Sequence, residues 1–269
     1  MSGSCRLSAE RGISVRNIFD SHAHYEDAIF GEDCWPVLDG LQRQGVSRVL
    51  NCCSDMGVVP RVLEIARRYD FVWASVGVHP HWTPETPADY LDGLRRAAQD
   101  PKVVAIGEIG LDYFWDDPKD LQMRIFCEQM ELARELGLPV IIHDRDAHQD
   151  TYQVLERYRL PGVVHRFSGD LDGLRRVLDL GMYVSFGGDI THPQYRDMPL
   201  KAIEHTPLER ILLETDAPYA TPYAQGQRRC DSSMLPEVVE VIADIKKISC
   251  QELCDITYQN ACRAYHIPE

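Results

Sequence analysis

Histidines and carboxylates recur at one kind of position along this chain. His22 and His24 close "FDSHAH", His79 and His81 lie in "GVHPH", and Glu108 and Asp112 in "GEIGLD". His143, Asp144 and Arg145 end "VIIHDR", His165 and Ser168 lie in "VVHRFSG", and Asp216 in "LLETDAP". Alternate side chains of a strand point the same way, so His22 and His24 project together. Imidazole and carboxylate are the ligands that zinc and divalent transition metals take. One cation is expected on His22, His24, Glu108 and Asp216, and a second on Glu108, His143 and His165. Glu108, central in order, bridges them with its two oxygens. Two cations about 3.5–4 Å apart can share a water, lower its pKa towards about 7 and clamp substrate oxygens. His148, His192, His205 and His266 lack this context and read as structural or exposed.

The elements that must position these residues are short and apolar. Candidate strands cover 17–24, 47–53, 71–80, 102–112, 139–145, 162–169, 182–188 and 210–218. Amphipathic segments lie between them, such as 58–70, 118–137 with Gly137 as a stop, and 170–181. The tail from Pro236 to Tyr265 reads as two closing helices. Eight strands alternating with helices, without a Gly-rich phosphate loop after the first, point to an α/β (β/α)8 TIM-type barrel in a single domain over 17–269. Residues 1–16 read as a loosely ordered lead-in. Such barrels assemble their sites at the C-terminal ends of the strands, which is where the ligand-type residues fall.

The composition fits a globular protein, with 44% hydrophobic and 26% charged residues, and no run approaches a membrane span. The N-terminus has no apolar signal segment. Nine cysteines without a C-x-x-C pair suit a reducing, cytoplasmic setting and structural thiols. A net charge of −14 argues against broad capture of duplex DNA, although bound metal can supply positive charge locally to a small phosphorylated substrate. No obligate protein partner is evident.

"FDSHAH", "GVHPH", "AIGEIGLDYF", "LPVIIHDRDA", "VVHRFSGD" and "ILLETDAPY" occur in order over about 18–222 and together resemble the signatures of the TatD family of metal-dependent deoxyribonucleases, amidohydrolase-type barrels. The resemblance implies phosphodiester hydrolysis, typically as an exonuclease on DNA ends, with His22, His24, Glu108, His143, His165 and Asp216 as ligands. It also implies that His79 and Asp112 lie near substrate or behind the ligands. Two departures stand out. Arg166 occupies the place of a usual Cys, where it either grips a phosphate or pairs with a surface carboxylate. The loop "GQRRCDSSMLP" replaces an Arg-Asn-x-Pro stretch, leaving Arg228 or Arg229 to face substrate.

The expected reaction is therefore hydrolysis of a phosphodiester, at a nucleic-acid end or in a small molecule, by water activated on two divalent ions (Mg, Mn or Zn). Glu108 and Asp216 carry the catalysis, with Asp216 orienting the water and taking its proton. His79, Asp112, Arg145, Arg166 and Ser168 are expected to contact substrate. Asp20 and Asp144 either hydrogen-bond ligand imidazoles or cap loops. Tyr113, Phe114 and Trp115 either receive an unpaired base or pack a loop against the rim. The same site could serve an amide, ester or lactone hydrolase. The alternative of another class is a non-catalytic metal-binding scaffold.

Overall fold

The computed structural model describes residues 15–195 and 197–268. Most of the lead-in expected over 1–16 lies outside the described residues. The strands are β1 (Ile18–Ala23), β2 (Val46–Asn51), β3 (Val72–Val76), β4 (Val103–Asp112), β5 (Val140–Arg145), β6 (Gly162–Val164), β7 (Tyr183–Phe186) and β8 (Ile211–Leu213). They pair in parallel, and their order across the sheet is their order in sequence. The seam closes beyond β8: Asp216 N donates to His22 O (2.9 Å) and His24 N to Ala217 O (2.7 Å). The result is a (β/α)8 barrel.

Between the strands run α1 (Cys34–Leu41), α2 (Val59–Arg68), α3 (Tyr90–Ala97), α4 (Lys119–Leu136), α5 (His148–Tyr158), α6 (Leu171–Asp179) and α7 (Asp197–His205); α8 (Leu235–Lys246) and α9 (Cys250–Ala264) complete the chain. Local signals set their limits. Asp170 accepts from Gly173 N at the start of α6 and Ser249 from Glu252 N at the start of α9, satisfying otherwise orphaned amides. Gly137, at φ 66°, ends α4.

Strand faces turned to the helices join them in one core that includes Ile18, Val49, Val72, Ile106, Leu213 and Val239. The opposite faces contribute Phe19, Leu50, Ile141, Val163 and Leu212 to a second cluster, floored by Tyr265 and Ile267. The Tyr265 hydroxyl donates to Ser21 O, latching the chain's last helical segment to β1.

β6 and β8 are shorter than the expected 162–169 and 210–218. The reason is local. Arg166 (φ 45°) and Asp216 (φ 56°) take left-handed conformations that turn the chain out of the sheet, an uncommon state for residues with a Cβ and one concentrated at functional sites. In β4 the register shifts between Ile106 and Ile109, and Gly110 at φ 146° passes so close to β5 that a Cβ there would lie 2.0 Å from His143 O. Glycine alone permits that approach. Among the described residues, no helix is long and apolar enough to cross a membrane.

Candidate metal centre

Six of the expected residues converge at the C-terminal mouth of the barrel. Glu108 is buried among them, and its two oxygens face different partners. Oε2 lies 3.2 Å from His22 Nε2 and 3.4 Å from His24 Nε2. Asp216 Oδ1 stands behind the same pair, 3.8 Å from His22 and 3.5 Å from His24. Oε1 lies 2.7 Å from both His143 Nδ1 and His165 Nε2. His79 Nε2 approaches that oxygen to 3.7 Å. The His22 and His165 rings stack at 4.0 Å, so the two halves of the cluster touch.

Outer partners aim the rings. His24 Nδ1 donates to Cys52 O (2.8 Å), with Glu26 Oε1 3.2 Å away. His143 Nε2 donates to Asp112 Oδ2 (3.0 Å), which leaves Nδ1 for Glu108. His165 Nδ1 faces the buried Glu214 at 3.6 Å. Such partners fix a ligand's tautomer and raise its basicity. Buried nitrogens and carboxylate oxygens converging in this way suit divalent cations.

The electrostatics are those of a cation trap. Burial would raise Glu108 and Asp216, but their neighbours win: His165 foremost holds Glu108 well below the carboxylate range, and His24 and Arg166 do the same for Asp216. Burial would lower His24, His143 and His165, yet their carboxylate partners lift all three, His165 to about 10 through Glu108 and Glu214. Burial, reinforced by His143, pushes His79 down to about 3 and keeps it neutral. Protons on these rings and metal ions are alternative counter-charges for the same two carboxylates.

A cleft of about 490 Å³ opens beside the cluster, lined in part by His143, Arg145, His165, Arg166, Ser168 and Asp189. Arg145, Arg166 and Ser168 thus reach the space expected for substrate. Arg166 pairs with carboxylates while lining the cleft: its guanidinium meets Asp189 and, through Nη1 at 3.0 Å, Asp216 Oδ2. Asp112 takes the second of its two expected places, behind a ligand. It is buried, and its oxygens are taken by His143 and by Phe114 N (3.0 Å). His79 sits within the donor cluster, with Glu108 and His143.

Several other candidate residues have partners outside the ligand set. Asp20 holds no ligand imidazole: Thr215 N (3.0 Å), the Thr215 hydroxyl (2.6 Å) and the Ser232 hydroxyl (2.6 Å) all donate to it, so it staples β1 to the segment after β8. Asp144 pairs with His148 at 2.8 Å. His81 turns away to Asp117 (2.8 Å). Arg229 is held by Ile29 O and Asp33, and Arg228 bonds Gln225 within its own loop, so neither arginine's recorded partners belong to the cluster. Sequence reading missed Glu26, Asp189 and Glu214. Glu26 and Glu214 each lie two residues from a named ligand, which was the available signal.

Comparison with known proteins agrees with this geometry. The sequence model of the family described as "TatD related DNase" matches residues 19–266. The "uncharacterized metal-dependent hydrolase YabD" of Bacillus subtilis is 34% identical over 254 residues, covering 93% of this chain and 99% of that protein. The "3'-5' ssDNA/RNA exonuclease TatD" of Edwardsiella piscicida is 35% identical over 252 residues, covering 88% of this chain and 95% of its own. The crystal structure of YjjV, a TatD homologue from Escherichia coli, superposes with a TM-score of 0.89 at 32% identity, covering 94% of this chain and 99% of that one. The chain belongs to the family of TatD-related DNases, the metal-dependent hydrolases to which its buried histidines and carboxylates are suited.

Proposed function

We propose that this protein is an exonuclease that hydrolyses phosphodiester bonds at nucleic-acid ends, in the cytoplasm, with two divalent ions (Mg, Mn or Zn). His22, His24, Glu108 and Asp216 hold one ion; Glu108, His143 and His165 hold the other. The observation that carries the reading is the division of Glu108, whose two oxygens serve two separate histidine sets. The name of the Edwardsiella relative supports the nucleic-acid substrate.

Divalent ions held by these residues would supply an acidified water and positive charge to offset that of the phosphate. The chain's own groups do the rest. Asp216 presents Oδ1 towards the histidines and accepts the water's proton, while Arg166 pins Oδ2. Asp112 keeps the His143 ring turned so that Nδ1 meets Glu108. Arg145, Ser168 and the remaining N–H donors of Arg166 bind phosphate oxygens from the cleft wall.

Elemental analysis of the purified protein, followed by digestion of end-labelled DNA and RNA under each metal, tests the reading. Stepwise release of mononucleotides is expected. Release from an ester or lactone panel with no cleavage of any phosphodiester would replace it with the second hydrolase reading. Metal bound without any hydrolysis would favour a scaffold.

A further inference from the structure

We infer that Phe114 and Trp115 form a stacking platform for the nucleobase beside the scissile phosphate; the inference rests on the phosphodiesterase reading above. Every large hydrophobic residue that is well exposed among the described residues lies on a loop or first helical turn after a strand, on the barrel face that carries the cluster. Two of them are consecutive. Phe114 and Trp115 are 53% and 48% exposed, with rings 5.0 Å apart and edge to face at 88°. A packing role would have buried those rings, since their exposure forfeits the gain of removing apolar area from water.

The loop is held in place and aimed. The half-buried Tyr113 anchors its base, donating from its hydroxyl to Asp150 (2.7 Å). Phe114 N donates to Asp112 Oδ1, and the other oxygen of that carboxylate takes His143 Nε2, each at 3.0 Å. A single carboxylate thus separates the aromatic loop from a ring of the metal cluster. Arg145, two residues after His143, lays its guanidinium 3.7 Å from the centre of the Phe114 ring. Phosphate-binding cation and aromatic surface are contiguous.

A second cleft, about 540 Å³, is lined by Tyr113, Phe114, Trp115 and Lys119 together with Asp116 and Asp117. Those two acids, and the net charge of −14, disfavour a run of phosphates there. The face of an unpaired base meets no such penalty, and ring-on-base stacking is the sequence-tolerant way to hold one. The ligand assigned to the platform is therefore an unstacked base of a single-stranded end.

Single-stranded oligonucleotides are compared with the same oligonucleotides carrying an abasic residue next to the terminal phosphodiester, using the full chain with Mn²⁺. For wild type, kcat/KM is expected to be higher on the base-bearing strand by roughly 5- to 150-fold, the range a single stacked base supplies. In the Phe114→Ala/Trp115→Ala double variant that ratio should fall towards one, through KM more than kcat, and Trp115→Phe alone should retain most of it. An unchanged ratio in the double variant overturns the platform while leaving the nuclease reading intact. Failure of wild type to release nucleotides from any strand under any divalent metal overturns the nuclease reading, and the platform with it.

Discussion

Arg166 Nη1 stands 3.0 Å from Asp216 Oδ2, and the guanidinium's Nε is anchored on Asp189, so Asp216 turns only its other oxygen towards His22 and His24. Both residues take left-handed backbone conformations. In the position where this family usually has a cysteine, the chain carries the cation that orients its proposed proton acceptor. Arg166→Cys is expected to lower kcat about tenfold, the equivalent of ~1.4 kcal/mol. That figure is well under the cost of breaking a fully buried pair, because the arginine side chain is 43% exposed. Steady-state kinetics with parallel metal analysis check it: turnover should drop while metal per chain stays constant.

Glu108 has no substitute in the geometry, since each of its oxygens serves a different set of rings. Glu108→Ala should lose metal and activity together, with kcat/KM down by at least about a hundredfold. Asp112→Asn, which weakens only the hold on His143, should cost about 10- to 100-fold in metal affinity or activity. Elemental analysis and circular dichroism on both variants decide the matter. Loss of activity with full metal occupancy in Glu108→Ala would contradict the bridging role.

Metal loading should release protons. His24, His143 and His165 are lifted by their carboxylate partners, so the metal-free cluster holds imidazolium near pH 7, whereas ligands must be neutral. Lowering the pH therefore favours protons over metal. Apparent affinity should rise with pH towards the His165 value of about 10, by about tenfold per unit for each proton displaced. Calorimetric titration in buffers of different ionisation enthalpy measures the number directly. An apparent heat independent of buffer would exclude the exchange.

Asp20 gives stability its own pH dependence. Burial outweighs the donors from Ser232 and Thr215 and lifts this carboxyl from 3.8 to about 7. Between those values the folded protein keeps a proton that the unfolded chain has released. Stability therefore falls as pH rises through that window, by roughly 4 kcal/mol at most, and levels off above it. Asp20→Asn, which cannot ionise, should remove that component. Denaturant titrations at pH 5 and pH 8, with chelator present, compare the two proteins.

The barrel is legible because the strands announce themselves as largely apolar runs, with most ligand-type residues at or just beyond their ends and Glu108 inside β4. What could not be read was anything set by long-range closure. The Asp20 carboxyl meets Thr215 and Ser232, partners 195 and 212 residues away in sequence, and no local spacing announces such contacts. Strand ends at 164 and 213 were overrun for a related reason: the left-handed turns at Arg166 and Asp216 follow from the site's geometry, not from the β-propensity of their neighbours. Asp112 has two places open to it from sequence, near substrate or behind the ligands. Its contact with His143 depends on the β4–β5 register, in which Asp112 pairs with Arg145.

The seam between the first and last strands is sewn by His22, His24, Asp216 and Ala217, three of them candidate ligands. Enclosure of the barrel and assembly of its reactive centre are thus one event. A ribosome-bound fragment that stops short of residue 216 already carries the other five candidate donors, yet has neither the acid nor the seam that brings it home. A chain cut before that point would therefore have an open wall and an incomplete donor set at once.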